Sequence, residues 1–289
     1  MTLYRGYDAT GIEAQYNARA SIPDHPRIFA RWKERSAAAR KARAGRARLD
    51  IAYGPGPLHT LDIFLADTRN APLHMLIHGG YWRSLDKSDF SDKVGALVEA
   101  GVTVAAVNYS LCPAVTIAAI VEETRQAAAW LWREAPALGC DQARFQISGH
   151  SAGGHLTAML VATDWPRYAP DLPKTMIQSA LSASGIFELE PLRHCSMNQD
   201  IKLAADDARS LSPIFMTPPA KVPMALAYGG LESAEFKRQS EDFAKAWRRH
   251  GLTIGVEELP GLNHLTVIEE LAVPGGRLAT TALRLLGMR

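Results

Sequence analysis

Short, almost wholly apolar runs alternate along this chain with longer stretches in which apolar residues recur at every third or fourth position. Leu73-His74-Met75-Leu76-Ile77 and Val102–Val107 are continuous runs of the first kind. Their length and composition predict strands buried on both faces. Arg48–Ala52 and Leu61–Phe64 read as an opening antiparallel pair, joined through the turn-rich Tyr53-Gly54-Pro55-Gly56-Pro57. Ala143–Ser148, Met176–Ser182, Val222–Tyr228 and Leu252–Glu257 supply further strand-like runs. Helical patterning is predicted near Phe90–Ala100, Ile117–Glu134, Gly154–Val161, Ser240–His250 and Arg277–Leu286. Repeated strand–helix alternation with buried strands predicts an α/β fold, with a mostly parallel central sheet flanked by helices.

Two stretches depart from this rhythm. Between Asp24 and Asp50 lie Arg27, Arg31, Lys33, Arg35, Arg40, Lys41, Arg43, Arg46 and Arg48. Ile28, Phe29 and Trp32 share one helical face there, and no aromatic interleaving accompanies the charge. The segment reads as a solvated amphipathic helix across the domain, within an N-terminal helical extension covering 1–47, rather than as a nucleic-acid patch. The irregular, proline-bearing stretch 187–219 separates two strands. It reads as a small partial cap over the strands' C-terminal ends, where α/β sites lie. The 289 residues are expected to form a single domain.

Composition narrows the classes of partner. A net charge of +2 and 47% apolar residues suggest neither a nucleic-acid nor a membrane partner. Cys112, Cys140 and Cys195 are odd in number and unpatterned, which argues against a disulfide framework and fits a reducing compartment. The first residues lack an apolar signal core, and no run approaches the roughly 20 apolar residues of a membrane span. A soluble, cytoplasmic protein is the expectation.

The chemistry begins at Gly149-His150-Ser151-Ala152-Gly153, which sits between a strand-like run and a helix-like run. A G-x-S-x-G pattern in that setting is a nucleophile elbow: its glycines permit a sharp turn that exposes Ser151 above the sheet edge. His78-Gly79-Gly80-Tyr81-Trp82 directly follows an apolar strand. Side-chain-free glycines there let backbone N–H groups approach a developing oxyanion. The candidate donors are Gly79, Gly80, Tyr81 and Ala152; which loop amides point inward stays open.

In the order serine, acid, histidine, the base follows the serine, leaving His155, His194, His250 and His264. His264, in a loop after the last strand, is the one placed to reach Ser151. Glu232 follows the strand Val222–Tyr228 and is the first candidate acid, with Glu235 as competitor. Tyr81 and Trp82 read equally as walls of an acyl or aryl pocket and as core aromatics. His78 and His150 belong to the serine motifs, and neither H-E-x-x-H nor a Cys/His cluster is present, so neither metal nor cofactor is expected. Arg83 and Arg193 are candidates to hold a substrate carboxylate or are plain surface charges.

From about Tyr53 to Glu270 the chain resembles the kynurenine formamidase (arylformamidase) branch of the α/β-hydrolase fold, related to hormone-sensitive-lipase-like esterases. The likeness rests on His78-Gly79-Gly80-Tyr81-Trp82, Asn108-Tyr109, Gly149–Gly153 and Ser184–Pro191. It continues through Asp207-Ala208-Arg209, Ser212-Pro213, Glu232–Phe236, Arg238-Gln239-Ser240 and His264. The resemblance implies a metal-independent serine hydrolase acting on an N-formyl arylamine such as N-formylkynurenine, through an acyl-enzyme. Esterase or other arylamidase activity on small substrates is the alternative, and a non-catalytic binding role the distant one. Related enzymes are often dimers, so a homodimer is a further expectation. Animal formamidases carry Asp where Glu232 stands, which marks this chain as a divergent relative.

Overall fold

The computed structural model describes residues 2–288. Eight strands form one sheet: β1 (Ala47–Ala52), β2 (Thr60–Phe64), β3 (Ala71–Ile77), β4 (Thr103–Val107), β5 (Cys140–His150), β6 (Ser179–Ala183), β7 (Met224–Gly229) and β8 (Ile254–Leu259). Their spatial order is β1-β2-β4-β3-β5-β6-β7-β8. The β1/β2 and β2/β4 pairs are antiparallel, and β4 through β8 run parallel. This is the mostly parallel sheet expected from the alternation, in the α/β-hydrolase arrangement that the resemblance implies.

Among the described residues ten α-helices accompany the sheet. They are α1 (Ala9–Tyr16), α2 (His25–Ala42), α3 (Gly95–Glu99), α4 (Ile117–Glu134), α5 (Ala152–Val161), α6 (Trp165–Tyr168), α7 (Asn198–Ile201), α8 (Ala205–Ser210), α9 (Ala234–Arg248) and α10 (Arg277–Leu285). Helices cover both faces of the sheet, which explains why the parallel strands read as unbroken apolar runs. Successive side chains in a strand point to opposite faces. Met75, Ala105, Ala180 and Leu226 accordingly join one core with Leu156, Phe243 and Trp247. Their neighbours Leu76, Ala106, Leu181 and Ala227 join the other, with Trp32, Phe90 and Leu278.

The differences from the expected elements have local causes. The stretch read as a helix over Phe90–Ala100 is a 3-10 helix, Lys87–Val94, followed by the short α3. Asp86 starts it with a capping box in which Asp89 bonds back to the Asp86 backbone. Helix α9 begins six residues before Ser240, the first residue expected in it. The Ser233 side chain accepts from the Phe236 N–H as its N-cap, and polar Gln239 and Ser240 lie on the buried face. Their polarity hides the amphipathic pattern of the first two turns.

The basic run is helix α2, with Ile28 and Trp32 buried and many of its charges paired. Arg31 meets Glu269 at 2.6 Å, Arg43 meets Glu99 at 3.0 Å, and Arg40 meets the buried Asp62. The stretch 187–219 is a chain of short helical turns packed on α5 and α9. There Phe187 stacks on Phe243 at 4.1 Å, and the Trp247 indole N–H donates to the Pro213 carbonyl at 2.9 Å.

Candidate active site

The parallel strands end at one edge of the sheet, and five of those ends deliver residues of one cluster. After β3 come His78 and the Gly79–Gly80 turn; after β5, Ser151; after β6, Ser184; after β7, Glu232; and after β8, His264. Concentration at the carboxyl ends of strands is the topological rule for open α/β sheets.

Ser151 occupies a strained backbone position, φ +56° and ψ −116°, between β5 and α5. The glycines around it are required by contact distance. A Cβ on Gly149 would stand 2.1 Å from the Gly153 carbonyl, and one on Gly153 would stand 2.1 Å from the Ile77 carbonyl. The helix therefore packs directly on the strands, and the turn holds Ser151 in place.

His264 Nε2 lies 3.0 Å from Ser151 Oγ, and its Nδ1 lies 2.8 Å from Glu232 Oε2. The other oxygen of Glu232 accepts from the Gly229 N–H at 2.6 Å and from the Ser184 hydroxyl at 2.5 Å. All three expected side chains are thus brought into one buried relay. The His264 loop is held twice. Asn263 Oδ1 accepts from the Leu265 and Thr266 N–H groups, each at 2.9 Å, and His150 Nε2 lies 2.7 Å from the His264 carbonyl oxygen. Glu235 is engaged elsewhere, with Tyr16 and Arg238.

The other histidines have separate roles. His155 is buried against the Leu211 carbonyl at 2.8 Å, and burial pulls its pKa down to about 4. His194 lies 3.5 Å from Glu190, and His250 is exposed. Among the described residues no group of three His, Cys, Asp or Glu side chains is placed to hold a metal ion.

The N–H groups of Gly79, Gly80, Tyr81 and Ala152 make no hydrogen bond within the described residues. Ala152 is the first residue of α5, so its N–H has no intrahelical acceptor and carries the positive end of the helix dipole. Gly80 sits at φ +116°, where a Cβ would lie 2.0 Å from the Ser84 carbonyl. Behind the loop, the His78 ring stacks on Tyr109 at 4.2 Å, with Nε2 3.0 Å from Asn108 Oδ1.

A narrow pocket opens onto Ser151 and His264. Tyr81 lines it, along with Phe29 and Trp32 of α2 and Ala18 and Arg19 of the preceding turn. None of its lining residues comes from 187–219. The N-terminal segment covers the serine because it is tied down on both sides. The Tyr81 hydroxyl donates to the Tyr16 carbonyl, and the Ser233 hydroxyl donates to the Gln15 carbonyl at 2.6 Å.

Trp82 corrects one expectation. It does not line the cavity but is fully buried, its ring 5.1 Å from His155. Positive φ at both Tyr81 and Trp82 makes a tight turn in which the two rings meet edge-on at 6.2 Å, with only Tyr81 reaching the pocket. Arg83 and Arg193 are already paired, with Asp200 and Glu190 respectively. Sequence reasoning missed the roles of His150, Ser184 and Asn263. Ser184-Gly185 directly after a strand was the available signal for Ser184, which takes φ +51°.

A serine on a strand-to-helix elbow, met by histidine and carboxylate from later strand ends of a mostly parallel sheet, defines an α/β-hydrolase. The protein-family model BD-FAE matches residues 61–246. Kynurenine formamidase of Salmo salar is 30% identical over 83% of this chain and 82% of its own length. A crystal structure from Silicibacter sp. tm1040, provisionally described as a thioesterase, is 31% identical. It has a TM-score of 0.82 and covers 93% of this chain and 97% of its own. EstE1, a carboxylesterase from a metagenomic library, is 16% identical over 99% of both chains with a TM-score of 0.71, a likeness of fold. The chain belongs to the BD-FAE family, in the arylformamidase branch of the α/β-hydrolases, and is a hydrolase.

Proposed function

We propose that this hydrolase cleaves the formamide bond of an N-formyl arylamine of the N-formylkynurenine type. The observation that carries the reading is the hydrogen-bonded series Ser151–His264–Glu232 beside unengaged backbone amides in a small aromatic-walled cavity. The kynurenine formamidase relatives support the choice of substrate.

In this mechanism Ser151 Oγ attacks the formyl carbon while His264 Nε2 takes the hydroxyl proton. Glu232 fixes the tautomer of His264 by accepting its Nδ1–H and stabilises the imidazolium. The oxyanion is met by the Ala152 N–H and amides of the Gly79–Tyr81 loop. His264 returns its proton to the departing arylamine nitrogen as the C–N bond breaks, leaving formyl-Ser151. Water, deprotonated by His264, then releases formate and restores the serine.

The test is kcat/KM on N-formyl-L-kynurenine and on p-nitrophenyl acetate, with Ser151→Ala as control. A formamide value far above the ester value, and a loss on the order of 10⁶-fold in Ser151→Ala, are expected. Ester turnover without formamide turnover would retain the hydrolase and overturn the substrate.

A further inference from the structure

Arg19 stands in the turn between α1 and α2 and lines the cavity that holds Ser151 and His264. Its guanidinium is half-buried, 5.2 Å from the Phe29 ring, and its Nη2 donates to Ser84 Oγ at 2.6 Å. Among the described residues no carboxylate pairs with it, and no other protein acceptor takes its remaining N–H groups. The two arginines that sequence reasoning offered as anchors are neutralised by Asp200 and Glu190. Arg19 is therefore a cation at the wall of the site without a counter-charge. Burial, and then the nearby Arg83, disfavour its charged form and lower its pKa. A guanidinium in that position gains from an anion, since its planar fork matches a carboxylate with paired N–H donors.

We propose that Arg19 is a specificity-determining anchor for a substrate carboxylate, so that the enzyme selects arylamides carrying an acid group within the span of one small cavity. The inference rests on the reading of Ser151 as nucleophile. The scissile carbonyl would sit at Ser151, and the acid group of the leaving arylamine would turn back toward the α1–α2 turn. The anchor also has a link to the oxyanion loop. Ser84 accepts from Arg19 and donates to the Gly80 carbonyl at 3.0 Å, so an anion at Arg19 is connected to the turn that carries the candidate donors.

The experiment compares N-formyl-L-kynurenine with its α-carboxamide, a near-isosteric neutral analogue in which an NH2 replaces one carboxylate oxygen, in wild type, Arg19→Met, Arg19→Lys and Ser84→Ala. Wild type is expected to prefer the acid. Arg19→Met should cut the acid-to-amide ratio of kcat/KM roughly tenfold to hundredfold, chiefly through KM, as loss of a charge-assisted hydrogen bond does. Arg19→Lys should recover part of the ratio, keeping the charge without the fork. Ser84→Ala should leave the ratio in place, because the guanidinium remains. Equal loss on acid and amide in Arg19→Met would overturn the proposal and leave Arg19 a structural tie.

If wild type hydrolyses p-nitrophenyl acetate but neither formamide, the formamidase reading fails separately. The anchor is then read from inhibition of ester hydrolysis by L-kynurenine and by its carboxamide. Stronger inhibition by the acid, abolished in Arg19→Met, supports the anchor; equal inhibition overturns it.

Discussion

The ring of His150 donates its Nε2–H to the backbone oxygen of His264 at 2.7 Å, so the residue preceding Ser151 holds the loop that bears His264. Burial, and then the neighbouring His264, push the His150 pKa well down, which favours the neutral ring with its proton on Nε2. Its Nδ1 is buried without a partner. His150→Phe should lower kcat roughly tenfold to hundredfold with little change in KM, because a base displaced by a fraction of an ångström transfers its proton less well. His150→Gln, which retains an N–H donor, should recover part of that loss. Steady-state kinetics on any turned-over ester checks both, and wild-type kcat in His150→Phe would remove the positioning role.

Glu232 and Glu235 lie three positions apart yet have different work. Glu232→Gln should leave the fold intact and drop kcat by about 10⁴-fold, as expected when the acid partner no longer fixes the histidine tautomer. Glu235→Gln removes charge from a buried cluster with Tyr16 and Arg238, which ties α1 to α9. It should cost about 2–4 kcal/mol of stability, with the smaller effect on kcat. Denaturation and kinetics on the two variants decide the assignment, and the reverse pattern would move the acid to Glu235.

The proposed oxyanion turn at Gly79–Tyr81 depends on a backbone conformation. Gly80→Ala places a Cβ 2.0 Å from the Ser84 carbonyl at φ +116°, so the turn must shift. Loss of donor alignment should reduce kcat about 10²–10³-fold. A circular-dichroism spectrum matching wild type would separate this from unfolding, and undiminished kcat would place the oxyanion elsewhere.

Stability should fall as pH drops below the histidine range. His74 and His155 are buried, and desolvation lowers both pKa values to about 4. Their unfolded values are about 6.5, so the unfolded chain binds protons first as pH falls. Stability is then lost progressively between about pH 6.5 and pH 4, by about 2 kcal/mol for each ring at pH 5. Urea midpoints at pH 7.5 and pH 5 measure this. His155→Gln, whose amide can still donate to Leu211, should show a shallower pH dependence than wild type.

Nucleophile, base and oxyanion donors are all supplied by the chain in the proposed mechanism. Dialysis against EDTA should therefore leave kcat/KM unchanged. Activity lost on chelation and restored by zinc would overturn the metal-free mechanism.

Much of the site was legible because its chemistry is encoded locally. Gly149 through Gly153 and His78 through Tyr81 each form a turn from adjacent residues; Gly149 and Gly80 are demanded by contacts at the turn itself, while Gly153 and Gly79 are demanded by Ile77 and His150 across the sheet edge. The buried strands were legible for a similar reason: a strand covered on both faces must be apolar throughout. The start of α9 was not, since Gln239 is buried only because its amide meets the Glu188 carbonyl and the Tyr16 hydroxyl. Trp82 was equally obscure, because its side depends on the backbone angles of the turn rather than on its own chemistry.

The sequence by itself determined the alternation of strands and helices, the Gly149–Gly153 elbow, the Gly79–Gly80 turn, and the short list of histidines and carboxylates that could meet Ser151. Those features follow from residue type and short-range spacing. Tertiary structure decided that Glu232 rather than Glu235 faces His264, that Ala18 and Arg19 cover the serine, and that Arg19 alone among the three candidate arginines lacks a carboxylate partner in the described residues. Each of these depends on contacts between segments tens to hundreds of positions apart, whose pairing is settled only when the whole sheet and its two cores close around them.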